Sequence, residues 1–170
     1  MRWGVLTVIL LALLVLEGTI LQIFSHTWGS SVLPVPRFGL VVLIFISLYI
    51  GRRRAFFIGL VFGMIQDILY SDVIGVYAFA MAIVPYTCAL IYQYFQQNVF
   101  LIVITVFFSV FIHENLIFFI FHLFGLIDDS YRWLEMIPTA LLNSAFAILA
   151  FRPLSRFLEN MDEERKNERA

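Results

Sequence analysis

Charge is what this chain has least of. Only 14% of its 170 residues are Asp, Glu, Lys or Arg, against 62% that are hydrophobic, and the mean hydropathy is +0.93. A soluble domain of this length needs a polar shell, and ordinary usage is nearer a quarter charged, so water is not the solvent for most of this surface. Cysteine is nearly absent as well. Cys88 is alone and lies in an apolar run, which excludes an internal disulfide and reads as a small buried hydrophobe.

Signatures of catalysis are missing too. The sequence has no Gly-x-Ser-x-Gly elbow, no phosphate-cradling glycine loop and no paired-aspartate motif. His113-Glu114 opens like a His-Glu-x-x-His zinc helix, but Ile117 stands where the second histidine belongs. His122 lies on the opposite side of a helix from His113, so the two cannot share an ion. The residues imply no enzyme, no catalytic group, no metal and no cofactor. Nothing in the charge pattern suggests nucleic acid.

What is present is a series of long apolar runs. A hydrocarbon core of roughly 30 Å needs roughly 17 to 25 helical residues. The runs give six spans, at about 3–24, 38–50, 55–70, 73–94, 99–127 and 133–151. The first continues through Glu17 to Phe24, longer than a signal-peptide core, and is expected to be retained. With the N-terminus inside, Arg2, Arg52, Arg53, Arg54, Arg152, Arg156, Arg165, Lys166 and Arg169 fall on the inner side, and only Arg37 and Arg132 outside. That is the positive-inside pattern, and moving the frame by one span reverses it. Trp3, Tyr49, Tyr92 and Tyr94 fall at the inner interface, with Trp28, Tyr70, Tyr131 and Trp133 at the outer one. The expectation is an all-α integral membrane protein: a six-span bundle over residues 1–153, N-in and C-in.

An outer loop is expected from Ser25 to Arg37, broken by Gly29, Pro34 and Pro36. Beyond the bundle, residues 154–170 read as a tail. Leu154, Phe157, Leu158 and Met161 make an amphipathic turn or two on the inner leaflet, and from Glu159 the chain is expected to be solvated and loosely ordered.

Ionisable groups inside a span cost roughly 2.5 to 3.5 kcal/mol each at the helix centre, so each needs a reason. Glu17 and Asp67 lie toward the outer ends of their spans and Glu135 near the start of its own, where interfacial water and snorkelling can satisfy them. His113, Glu114 and Asn115 sit midway along the fifth span and should face the bundle. Gly59 and Gly63 form a Gly-x-x-x-Gly on the third span, a face for close helix packing within the chain or against a partner. Gly75 frees the chain to turn into the fourth span.

One stretch carries a resemblance. It runs Pro34-Val35-Pro36-Arg37-Phe38, then an apolar run, then Gly59-x-x-x-Gly63-x-x-x-Asp67, then Gly75-Val76-Tyr77-Ala78-Phe79. Its order and spacing resemble the rod shape-determining MreD family, and the length, six spans and charged tail fit as well. The resemblance implies a non-enzymatic scaffold in the bacterial cytoplasmic (inner) membrane. Its partners would be an MreC-like bitopic protein and, around it, RodA, a penicillin-binding transpeptidase and MreB. Pro36, Arg37, Gly59, Gly63, Asp67 and Gly75 carry over as structural or interface positions. A groove beside Gly59 and Gly63 is the expected seat for the partner's span. The family is also similar in fold to the S components of energy-coupling-factor vitamin transporters. That supplies the alternative, a small-molecule-binding subunit.

Overall fold

The computed structural model describes residues 2–27, 34–71, 73–92, 99–126 and 133–167. These form six helices, with no strand among the described residues: α1 (Arg2–Thr27), α2 (Phe38–Tyr49), α3 (Arg52–Tyr70), α4 (Val76–Tyr92), α5 (Val99–Leu123) and α6 (Trp133–Asn167). Stretches of α1, α5 and α6 are long and apolar enough to cross a membrane, and α2 and α4 carry shorter apolar stretches. The chain is an all-helical membrane protein.

The shortest helix lies at the centre. α2 carries apolar side chains all round, and everything from Gly39 to Ser47 is buried. A helix without a polar face can lie against lipid or against protein; α2 lies against protein, packing on each of the other five helices. Phe38 meets Phe146 and Phe45 meets Phe151 on α6, with ring centroids 4.2 and 6.3 Å apart. α2 and α6 therefore run parallel. α3 turns back from α2 through Gly51, whose φ of +129° only glycine adopts readily.

α3 and α4 form a close antiparallel pair, and glycine is the reason. A Cβ on Gly59 would collide with the Met81 carbonyl, and one on Gly63 with the Ala78 and Tyr77 backbone. The Met81 carbonyl lies four residues before Pro85, which has no N–H to give it. Gly59 packs directly against that freed acceptor. Ser47 on α2 donates its hydroxyl to the Pro85 carbonyl at 2.6 Å, joining a third helix to the same irregularity.

Several boundaries differ from the sequence reading. α3 takes in Arg52–Arg54 instead of starting at residue 55. α4 starts at Val76, because Val73–Gly75 form a capped turn. α5 ends at Leu123, where Gly125 with φ +67° closes it. Residues 93, 94 and 127, placed in spans from the sequence, lie outside the described residues.

Two segments pack differently from the sequence reading. The end of the expected outer loop is packed into the protein instead of lying open to water: Pro36 and Arg37 are buried and Pro34 and Val35 half-buried, in non-helical backbone leading into α2. The loop's residues 28–33 lie outside the described set. Nor does the tail separate at Phe151. α6 runs on through Pro153 to Asn167, and Leu154, Leu158 and Met161 are buried in the same core cluster as Leu10, Ile50 and Ile102. The apolar stripe read as a leaflet contact is satisfied by the protein's own core, and that packing keeps the helix going.

Candidate functional site

The polar side chains of the spans collect at one level. Trp3 on α1 and Arg54 on α3 meet at the basic end of the bundle, with the guanidinium 5.4 Å from the ring. About 20 Å along each helix, at a rise of about 1.5 Å per residue, come Glu17 on α1, Gln66 and Asp67 on α3, and the start of α2. Glu114 on α5 and Asn143 on α6 reach the same level through Arg37, which bonds to both.

Arg37 is the hub. Its Nε donates to Glu114 Oε1 at 2.8 Å, and its guanidinium lies 5.2 Å over the Tyr77 ring. Its backbone N–H donates to Asn143 Oδ1 at 2.7 Å. Asn143 in turn donates from Nδ2 to the Val35 carbonyl at 3.0 Å, and the Val35 N–H donates to Thr139 Oγ1 at 3.0 Å. The segment before α2 is thus bonded along its length by two side chains one turn apart on α6. A buried ion pair is stable only when its remaining polar atoms are also satisfied, and α6 satisfies the backbone beside this one.

Two acids serve helix N-termini that are not their own. Glu17 Oε1 accepts the Gly39 N–H at 2.6 Å, in the first turn of α2, while Oε2 accepts from Gln66 Nε2 at 3.2 Å. Asp67 accepts three N–H groups at the start of α4: Gly75 at 3.0 Å, Tyr77 at 2.9 Å and Ala78 at 2.9 Å. Each carboxylate takes up donors that a helix start leaves orphaned and sits at the positive end of its dipole. Gly75 has φ +105°, which lets the turn bring its own N–H onto Asp67. Both acids are buried. Water and snorkelling, expected from the sequence to satisfy them, are replaced by backbone donors.

The other sequence candidates fall differently. His113 is fully buried beside the layer, its Nδ1 3.4 Å from Glu114 Oε1, and neither ring nitrogen makes a hydrogen bond. Asn115 faces away and donates to the Phe111 carbonyl of its own helix at 2.7 Å. Gly59 and Gly63 face α4, so the groove expected to seat a partner is filled by the chain itself. Of Glu135 only the backbone, on α6, is described. Thr139, Asn143 and Tyr77 were not anticipated. A readable signal existed for two of them: Thr139 and Asn143 stand i, i+4 on the stripe of α6 that also buries Met136, Ala140 and Ala147.

Comparison with known proteins places the chain in a family. Residues 3–161 match the family model described as rod shape-determining protein MreD. The chain is 30% identical over 139 residues to the rod shape-determining protein MreD of Bacillus subtilis (strain 168), covering 78% of this chain and 79% of that protein. No solved structure matches it. The motif residues of the resemblance are the ones that build the polar layer and the α3–α4 contact, and the chain belongs to the rod shape-determining MreD family, with a role in cell shape.

Proposed function

We propose that this protein is a non-enzymatic, multi-pass scaffold of the bacterial cytoplasmic membrane that holds an MreC-like bitopic partner within the cell-elongation machinery. All six helices cross the bilayer, with the N-terminus and the basic end inside. The partner connects the scaffold to RodA, a penicillin-binding transpeptidase and MreB, and so to side-wall peptidoglycan synthesis.

One observation carries the choice of a scaffold over a transporter's binding subunit. A ligand site needs convergent polar groups free to meet the ligand. Here Glu17, Arg37, Asp67, Glu114, Thr139 and Asn143 are all engaged by other groups of the chain. They tie all six helices and the segment before α2 into one frame.

The partner's span needs a face other than Gly59 and Gly63. α3 offers one on its outward side, where Phe57, Leu60, Val61, Met64 and Ile68 are exposed at helical spacing. The apolar part of α3, residues 55–70, is about 24 Å long, short of a hydrocarbon core of about 30 Å. Lipid against this face is mismatched, and a neighbouring helix relieves that strain.

The test is photo-crosslinking in the native membrane from Leu60 and, as a control, from the exposed Phe108 on α5, with products identified by mass spectrometry. The proposal expects a single-span protein with a large extracytoplasmic domain, captured from Leu60 and not from Phe108. Capture from Phe108 alone would move the interface to α5. Co-purification of ATPase subunits in place of any such partner would establish the binding-subunit reading.

A further inference from the structure

Asn115 lies in a span yet outside the polar layer. It is half-buried on the outward side of α5, where Nδ2 gives one of its two N–H groups to the Phe111 carbonyl. Its second N–H and its Oδ1 meet no hydrogen-bonding group among the described residues. α5 is long and apolar enough to cross a membrane, and Asn115 sits about 12 Å inside its nearer end at about 1.5 Å per residue. Lipid tails at that depth offer neither donor nor acceptor. A carboxamide there is costly until a neighbouring helix completes its hydrogen bonds.

The face around Asn115 has the spacing of a helix pair. Phe108, Ile112, Asn115, Phe119 and His122 stand alternately four and three residues apart, and Phe108, Ile112 and Phe119 are each half or more exposed. That alternation averages about 3.5 residues, the repeat that keeps one stripe of a helix against a partner crossing it at about 20°. Ile112, Asn115, Leu116 and Phe119 also line an open cleft, together with Phe111. Residues at i, i+3, i+4 and i+7 are the four that make a hole for a partner's side chain, and a single polar residue in such a seam fixes its register.

Asn115 also selects the occupant. The facing helix must bring a group that both donates and accepts to this same depth. A second copy inserted in the same orientation brings one by symmetry. Around a two-fold axis normal to the membrane, each Asn115 gives its free N–H to the other's Oδ1. We propose that two copies of this protein pair through α5, in a parallel two-fold contact with Asn115 at its centre. The contact is on a different helix from the α3 face assigned to the bitopic partner, and it does not depend on that partner's identity.

The test has two parts, both on the full chain. In isolated membranes, Ile112→Cys and Phe119→Cys should each give a disulfide-linked dimer on mild oxidation, and Val8→Cys, on the exposed face of α1, should not. The unmodified chain, whose Cys88 is buried, is the blank. In vesicles holding this chain alone, labelled with donor or acceptor fluorophores, energy transfer should fall as lipid dilutes the protein. Asn115→Leu should need about tenfold higher protein density to pair, and Asn115→Gln should stay close to the unmodified protein. No energy transfer at any density, pairing by Asn115→Leu as strong as that of the unmodified protein, or a disulfide from Val8→Cys in place of Ile112→Cys would each overturn the proposal. So would photo-crosslinking from Ile112 that captures a single-span protein and no second copy, since α5 would then be that partner's seat. If Asn115→Leu fails to fold, the disulfide pattern decides the matter.

Discussion

Arg37 and Glu114 are 77 residues apart in sequence and 2.8 Å apart in the bundle, and both are buried. The pair closes a connection from the non-helical segment before α2 to the middle of α5. It is the only place among the described residues where a full positive charge from beyond the helices is drawn into the polar layer.

Removing one partner leaves the other charge buried alone. Glu114→Gln or Arg37→Met alone should destabilise the protein by about 3–5 kcal/mol. The double substitution Arg37→Met, Glu114→Met should recover much of that loss. Thermal unfolding of the purified variants in one detergent measures both, and a double variant no more stable than either single one would mean the pair does not act as a unit.

Asp67 serves three backbone donors at once. Asp67→Ala should orphan them and loosen the start of α4, costing at least the roughly 0.5–2 kcal/mol of a lost helix cap. Asp67→Asn keeps an acceptor and should lose less. Hydrogen exchange at Tyr77 and Ala78 reports the effect directly, and equal protection in all three proteins would refute it.

Gly63→Leu tests the close contact of α3 and α4. A side chain here meets the Ala78 backbone, which cannot move aside as a flexible side chain can. The variant should fail to give a monodisperse folded protein, and Gly63→Ala should be destabilised in the same direction. A stable Gly63→Leu protein that has lost only its partner would instead restore the partner-groove reading.

The second half of α6 gives a contrast between core and lipid contact. Leu158 is fully buried and Leu149 is 79% exposed. Leu158→Ala should cost about 2–5 kcal/mol, whereas Leu149→Ala should change unfolding little. Equal, small effects at both positions would return residues 154–161 to the leaflet surface.

Much of the candidate site was visible in the sequence because intramembrane polar residues are rare enough to stand out. Glu17, Asp67 and Glu114 were singled out on that ground, Arg37 through the family resemblance, Gly59 and Gly63 on spacing and Gly75 as a turn residue. Their partners were not. Glu17 meets Gly39 across 22 residues and Arg37 meets Asn143 across 106, separations at which periodicity carries no information. Arg37 also read as an outer charge, because prolines and an arginine after an apolar run look the same whether the chain then lies in water or enters a bundle.

Composition and charge by themselves determined that the chain is all-helical and lives in a membrane. Only 14% of its residues are charged, and of the two structures that satisfy their backbone in lipid, helices and closed barrels, long continuous apolar runs fit helices. The tertiary structure decided what each polar group bonds to. It placed α4 against Gly59 and Gly63, turned Glu17 and Asp67 into caps for other helices, packed Pro34–Arg37 into the protein, and continued α6 past Phe151. The reason is physical: a buried polar group must find a partner, but its chemistry does not say which one, and only the packing of the whole bundle brings that partner within reach.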